Sequence, residues 1–175
     1  MDIDSVVDYF ESKQTEICLT LEKLDGKNKF TDQKLASSDG NFSRPRVLQG
    51  DGQLEKAAVN FTRAGGDKLP PAAVEKNKDL ANSAFRACSI LVIVHPANPF
   101  VPTTHMNLRF FVIEKEEPVW YFGGGYDLTP IYGFEEDARD WHRQARDAVG
   151  VYYPKMKKHC DEYFFLPHRQ EHRGI

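Results

Sequence analysis

The segment from His105 to Glu114 alternates apolar and polar residues, and this alternation constrains the fold more than any other feature of the sequence. Successive side chains of a β-strand point to opposite sides. The polar side would carry His105, Asn107 and Arg109, and it continues into Phe111 and Ile113. The apolar side consists of Met106, Leu108, Phe110 and Val112. Simple solvent exposure of the polar side is the alternative, but Phe111 and Ile113 favour burial. We therefore expect this side to form a pocket floor.

Other segments predict further strands and helices around this one. Apolar residues near the N-terminus recur with the spacing of a helix, which predicts a first helix that ends at Gly26. A polar surface loop is predicted from Lys27 to Gly40. Strands are predicted at residues 46–49, 54–62, 87–94 and 119–122, and helices at residues 134–149 and after Pro154. This order predicts an α+β fold with a mainly antiparallel sheet. A length of 175 residues suits a single domain, in which residues 1–40 form the helix and loop that precede the main body.

Charge and composition argue against several classes of function. Lys and Arg number 23 and Asp and Glu number 26, so the net charge of −3 argues against binding of nucleic acid. The longest apolar run, residues 90–94, is far shorter than the roughly 20 residues of a transmembrane segment. The acidic N-terminus has no signal or transit pattern, so we expect a cytoplasmic protein. Three distant cysteines, Cys18, Cys88 and Cys160, exclude a disulfide framework and a Cys-x-x-Cys site.

Three consecutive glycines, Gly123 to Gly125, precede Tyr126 and Asp127. We expect the strand to end before them and to leave a backbone without side chains, which a flat or bulky ligand could approach next to the Asp127 carboxylate. A strained turn is the alternative interpretation. The sequence lacks the glycine orders that bind phosphates and dinucleotides, so a nucleotide cofactor is not supported.

The histidines raise the question of a metal site. Neutral imidazole is a common ligand of divalent cations, and four of the six histidines lie beside predicted pocket elements: His95, His105, His142 and His168. A structural or acid–base role for each is the alternative, because no two of them have a spacing that requires a metal. Residues 168–172 match the His-x-x-Glu-His pattern of zinc proteases, but Pro167 and Gly174 argue against the helix that this site needs.

Longer stretches of the sequence resemble the oxygen-dependent coproporphyrinogen III oxidase family of haem biosynthesis. The stretches are residues 95–110 (HPANPFVPTTHMNLRF), 120–130 (WYFGGGYDLTP), 153–164 (YPKMKKHCDEYF) and 168–175 (HRQEHRGI). A looser match begins near Arg44. The resemblance implies a flat antiparallel sheet with helices on both faces, a homodimer, and a main body, residues 41–175, that is the N-terminal portion of the family's domain. Family members continue further, so we expect this chain to be incomplete relative to them.

The resemblance also implies a reaction. Two propionates of coproporphyrinogen III would be oxidatively decarboxylated to vinyl groups, giving protoporphyrinogen IX, with molecular oxygen as co-substrate and no redox cofactor. Catalytic roles would fall to His105, Asp127 and Arg109. Substrate binding would involve Ser89, Asn107, Leu108, Arg109, Arg169 and Arg173. Similar proteins are associated with a divalent cation at positions that match His95, His105, His142 and His168.

Two other functions remain open from the sequence. The chain could be a non-catalytic fragment, or a porphyrin-binding module of the same family, if its site does not close. It could also be a metal-dependent oxygenase that does not act on porphyrins, in which case chelation would abolish activity. Binding of a tetrapyrrole without formation of a vinyl product would distinguish the module from the enzyme.

Overall fold

A computed structural model of the chain describes residues 2–74 and 78–174. The helices are α1 (Ile3–Asp25), α2 (Pro71–Val74), α3 (Glu135–Val149) and α4 (Tyr153–Tyr163). The strands are β1 (Thr31–Asp32), β2 (Leu35–Ala36), β3 (Phe42–Gln49), β4 (Leu54–Gly66), β5 (Phe85–Pro96), β6 (Thr103–Ile113), β7 (Val119–Thr129), β8 (Phe165–Leu166) and β9 (Glu171–His172). Lys78–Leu80 and Gly150–Tyr152 form short 3-10 turns.

Seven of these strands form one antiparallel sheet. Its order is β1-β3-β4-β5-β6-β7, and β2 also pairs with β3. The predicted α+β class with an antiparallel sheet is therefore confirmed. Strands β8 and β9 form a separate hairpin near the C-terminus. Among the described residues, the helices include none that is long and apolar enough to span a lipid bilayer.

Helix α1 covers one side of the sheet, which we call the helix face. Phe10 on α1 is buried in one core with Phe61 on β4 and Phe110 on β6. Full burial of a side chain of this size stabilises the fold by about 1.5–3 kcal/mol. The carboxylate of Asp2 accepts hydrogen bonds from the first turn of the helix, and Gly26 ends it in a left-handed conformation. The helix ends where the sequence pattern predicted.

The other side of the sheet, which we call the open face, is covered only in part. Phe111 and Ile113 are buried there in a second apolar cluster with Leu69 and Ala73, as the sequence pattern predicted for the first two. Further along this face, Leu91 is 37% exposed and Arg109 is exposed. The polar residues of β6 therefore lie on an open floor rather than in an enclosed pocket.

Helices α3 and α4 lie beside β7, the edge strand of the sheet. The ring of Trp141 on α3 meets that of Tyr126 on β7 edge to face, with centroids 4.9 Å apart. A Cβ atom placed on Gly125 would lie 3.9 Å from Sγ of Cys160 on α4. Neither helix has a buried residue. Their docking on the sheet is therefore loose compared with that of α1.

The segment after α1 is more ordered than predicted. Its polar residues suggested a surface loop from Lys27 to Gly40, but β1 and β2 lie within it and pair with β3. The guanidinium groups of Arg44 and Arg46 on β3 reach Asp32 on β1, at 2.6 and 3.1 Å. The hydrogen bond from Arg44 is the main cause that lowers the pKa of Asp32 to about 2. Ion pairs across the strands, which local patterns do not reveal, hold this segment on the sheet.

Asp25 joins the end of α1 to the start of β4, and we expect its replacement by asparagine to weaken the fold. Its carboxylate accepts the N–H groups of Leu54 at 2.9 Å and Asn28 at 2.8 Å. These two hydrogen bonds lower the pKa of Asp25, and the bond from Leu54 has the larger effect. The stabilisation is therefore present above the ordinary pKa and is lost as the pH falls below about 4. In Asp25→Asn, we expect a lower Tm at pH 7 and a smaller loss of stability on acidification.

Thermal denaturation of both proteins between about pH 7 and pH 3 measures this effect. Asp51→Asn is the control, because the Asp51 side chain is 87% exposed and pairs only with Lys27 among the described contacts. Parallel curves of Tm against pH for the native chain and Asp25→Asn would contradict the assignment.

Candidate functional site

The predicted catalytic residues lie on the open face of β6 and β7. His105 on β6 is paired with Asp127 on β7, and Arg109 is paired with Gly123. Paired residues of neighbouring strands project to the same side of a sheet. His105 and Arg109 are four residues apart, or about 13 Å along the strand. The structure thus brings an imidazole, a carboxylate and a guanidinium to one surface.

Asp127 is buried, and its carboxylate is fixed by two side chains. It is 3% exposed. Nδ1 of His105 lies 3.2 Å from Oδ2 of Asp127, and the hydroxyl of Thr129 donates to the same oxygen at 3.0 Å. A carboxylate only accepts hydrogen bonds, so Nδ1 of His105 is the donor in this contact, and in the neutral imidazole Nε2 is then the nitrogen that can accept a proton. The His105 side chain is 33% exposed, so part of the imidazole is open to a ligand.

The C-terminal hairpin brings Arg173 toward the same carboxylate. Nη2 of Arg173 lies 4.0 Å from Oδ2 of Asp127. Its guanidinium packs over the ring of Phe164 at 4.9 Å, and its backbone N–H donates to the carbonyl of Phe164 at 2.8 Å. Arg169, by contrast, pairs with Glu171 at 2.5 Å and is 62% exposed. Of the two C-terminal arginines predicted to bind substrate, the structure places Arg173 at the site and gives Arg169 no described contact with it.

Arg109 lies flat along β7 because its neighbour there has no side chain. A Cβ atom on Gly123 would be only 3.1 Å from Nε of Arg109 and 3.3 Å from Nη2. The guanidinium donates to Oδ1 of Asn107 at 3.4 Å. An arginine has five N–H donors, so most of those of Arg109 can still bind a ligand. A carboxylate on this floor could be held by two parallel hydrogen bonds.

The glycine run lies inside β7 and does not follow its end. The prediction that the strand ends at Phe122 was wrong, since β7 continues to Thr129. Gly124 has φ +156°, and a Cβ atom there would overlap the carbonyl oxygen of Asn107 and lie 3.0 Å from Cα of Leu108. Glycine is needed at this position because β6 and β7 approach each other closely. Because β7 stays paired with β6 through the three glycines, Asp127 lies opposite His105.

Ser89 extends the polar floor onto β5. It is paired directly with Arg109, and its hydroxyl lies 2.6 Å from that of Thr62 on β4. Thr62 and Thr129 also belong to the site, although the sequence patterns did not predict them as members. Thr62 is a polar residue in a predicted strand, and Thr129 lies beyond the predicted end of its strand. Their place in the site follows from the pairing of the strands, which local sequence patterns do not show.

Leu108 is the one predicted substrate-binding residue on β6 whose side chain does not face the floor. It alternates with Asn107 and Arg109, so its side chain lies on the helix face, where it is 37% exposed. The alternation that predicted the polar floor already implies this position. The substrate contact that the resemblance implies for Leu108 stays a prediction.

The four histidines predicted to bind a metal do not come together. The rings of His95 and His105 are 6.2 Å apart and nearly perpendicular. His142 lies instead beside the hydroxyl of Tyr153, at 3.0 Å, and burial and the charge of Lys157 lower its pKa. His168 is exposed in the turn between β8 and β9. Residues 2–74 and 78–174 contain no group of three His, Cys, Asp or Glu side chains that could hold a metal ion. The donor set does not fit the predicted cation.

A comparison with models of protein families finds one that covers almost all of the chain. The model describes coproporphyrinogen III oxidase, and it matches residues 5–175. The match begins in the first turn of α1, so it includes the helix and the β1–β2 segment as well as the strands that carry the site.

Proposed function

The chain belongs to the coproporphyrinogen III oxidase family, and on this basis we propose that it catalyses the oxygen-dependent oxidative decarboxylation of coproporphyrinogen III to protoporphyrinogen IX. The family implies a tetrapyrrole substrate. The observation that most supports this activity in the chain itself is the hydrogen-bonded pair of His105 and Asp127 on one open face with Arg109.

The reaction converts each of two propionate side chains into a vinyl group. The carboxylate carbon leaves as CO2, and the carbon next to the ring loses a hydride equivalent. Each conversion therefore releases two electrons. The four electrons of two conversions reduce one O2 to two water molecules or two O2 to two H2O2. The porphyrinogen ring is electron-rich, so the proposal needs no redox cofactor.

We propose that Asp127 stabilises the positive charge that develops on the substrate during the reaction. Its carboxylate can accept hydrogen bonds from pyrrole N–H groups and stabilise the positive charge that appears on the ring as a hydride leaves. Opposite unit charges 4 Å apart attract each other by about 4 kcal/mol at an effective dielectric constant near 20. Since Asp127 is buried and fixed by His105 and Thr129, little reorganisation would be needed during the reaction. Nε2 of His105 would exchange the protons that the reduction of O2 consumes.

We expect Arg109→Met to weaken binding of the substrate's carboxylates. The stable oxidised tetracarboxylate coproporphyrin III is the probe, and its Kd should rise roughly 10- to 100-fold, since hydrogen bonds to charged groups contribute about 1.5–3 kcal/mol. Fluorescence titration measures Kd. Arg63→Met is the matched control, because Arg63 is exposed on β4 and paired with Cys88, which lies in the core of the helix face. Equal losses in both variants would show that only overall charge matters.

Turnover by the purified chain tests the activity directly. Incubation with coproporphyrinogen III in air should yield the divinyl product and two equivalents of CO2, and exclusion of O2 should stop it. Binding of coproporphyrin III without any vinyl product in air would favour the binding module. Loss of turnover on chelation, with a metal found by elemental analysis, would favour the metal-dependent oxygenase.

The remaining features of the family are part of the same proposal. We infer a homodimer, helices over both sides of the sheet, and a cytoplasmic location. The open floor, with Leu91 37% exposed, supports the presence of further covering elements in the active assembly. The cysteines are not in disulfide bonds, and Cys18 and Cys88 are buried, as in a reducing compartment.

A further inference from the structure

Two hydrogen bonds meet on a single oxygen of Asp127. Nδ1 of His105 lies 3.2 Å from Oδ2, and the hydroxyl of Thr129 donates to the same oxygen at 3.0 Å. Each oxygen of a carboxylate has two lone pairs, so these two donors occupy both lone pairs of Oδ2. Nη2 of Arg173 approaches the same oxygen, to 4.0 Å. A further hydrogen bond to Asp127 must therefore go to Oδ1.

Oδ1 of Asp127 is the oxygen that remains for a ligand. Among the residues that the structure describes, none donates a hydrogen bond to it. The described buried side-chain atoms that lack a partner are Oε1 of Gln14 and Nε of Arg46. Oδ1 is not fully enclosed like these two atoms, so it keeps some contact with solvent. Because Asp127 projects to the open face with His105, a substrate on that face can reach Oδ1.

The hydroxyl of Thr129 lies against the C-terminal segment. A Cβ atom on Gly174 would lie 3.0 Å from Oγ1 of Thr129 and 2.6 Å from the carbonyl oxygen of Leu128. Gly174 also has φ +78°, a conformation that favours glycine. The lack of a side chain at this position therefore leaves room for the hydroxyl. A hydroxyl has one hydrogen to donate, and Oδ2 of Asp127 is its acceptor.

We propose that Thr129 is a positioning residue whose hydroxyl, together with Nδ1 of His105, holds Oδ2 of Asp127 and thereby turns Oδ1 toward the substrate. The proposal rests on the function proposed above, in which Asp127 stabilises positive charge on the tetrapyrrole. Without the Thr129 hydroxyl, one lone pair of Oδ2 is free and His105 alone orients the carboxylate, so the carboxylate can rotate. An electrostatic effect that depends on a fixed orientation is then reduced.

Removal of the Thr129 hydroxyl tests this role. We expect Thr129→Val to lower kcat for coproporphyrinogen III roughly 5- to 30-fold, while the Kd for coproporphyrin III changes by less than about twofold. Thr129→Ala removes the same hydroxyl without placing a methyl group next to Gly174 and should behave in the same way. Thr129→Ser restores the hydroxyl and should recover most of kcat. Thr31→Val is the control, because Thr31 is exposed on β1, far from β7 in the sheet, and its hydroxyl donates to the carbonyl of Val47.

A double-mutant cycle separates positioning from an independent effect. Asp127→Asn removes the charge that Thr129 orients, so adding Thr129→Val to it should lower kcat by less than about a further twofold. Losses of kcat that multiply would overturn the proposal, and so would a Thr129→Ser variant that is as slow as Thr129→Val. Thermal melting measures how much of each variant is folded at the assay temperature. If Thr129→Val and Thr129→Ala lose kcat only in proportion to the loss of folded protein, Thr129 has a structural role instead.

The outcomes also distinguish this inference from the function on which it rests. If the native chain forms the divinyl product and Thr129→Val keeps the native kcat, the role of Thr129 is wrong and the proposed function stands. If the native chain forms no vinyl product in air, both fall together.

Discussion

Replacement of Asp127 by asparagine is expected to lower kcat for coproporphyrinogen III by about 10²- to 10³-fold, while the Kd for coproporphyrin III changes by less than about threefold. Asparagine has nearly the same size, and its carbonyl oxygen can still accept the hydrogen bond from Thr129. What it lacks is the negative charge. If that charge stabilises the positive charge that forms on the ring only during the reaction, its loss affects kcat and leaves binding of the ground state nearly unchanged.

Steady-state turnover in air and fluorescence titration give the two constants for this variant. Asp51→Asn removes an exposed carboxylate from the turn between β3 and β4 and should change neither. Unchanged turnover in Asp127→Asn would refute the proposed chemistry. A rise in Kd as large as the fall in kcat/KM would make Asp127 a binding residue with no special role in the transition state.

The polar floor could be predicted from the sequence because strand alternation is a local property. A period of two residues on β6 was enough to place His105, Asn107 and Arg109 on one side, and the same period buries Phe111 and Ile113 at its end. Leu108 follows the same period. Alternation assigns its side chain to the helix face, and the structure agrees with alternation.

What could not be predicted is the register between strands. The pairs that form the site, His105 with Asp127 and Ser89 with Arg109, join residues that are 22 and 20 positions apart in the sequence. No local pattern encodes these pairs. The β1–β2 segment was missed for the same reason, since the ion pairs of Asp32 with Arg44 and Arg46 hold it on β3. The structure resolves register, and the site depends on it.

The register of β6 and β7 depends on Gly124, and we expect Gly124→Ala to be the most destabilising single-methyl substitution in this part of the fold. Residues with a side chain rarely adopt a φ of +156°, which costs an alanine about 1–3 kcal/mol, and overpacking against the β6 backbone adds about 1–3 kcal/mol. A total near 3 kcal/mol should lower Tm by roughly 6–12 °C for a chain of this size. Gly133→Ala is the matched control, because its Cβ atom would meet nothing within 4 Å and its φ is not positive.

The same substitution should also disturb the contact between His105 and Asp127. Relief of the clash between the added methyl group and the carbonyl of Asn107 requires β7 to move away from β6, which would separate His105 from Asp127 two and three residues further along the strands. We therefore expect folded Gly124→Ala to lose turnover at temperatures well below its Tm, whereas Gly133→Ala should lose neither stability nor turnover. Equal melting curves for the two variants would mean that the strands can part at no cost, and the glycine run would then have no structural role in holding the carboxylate.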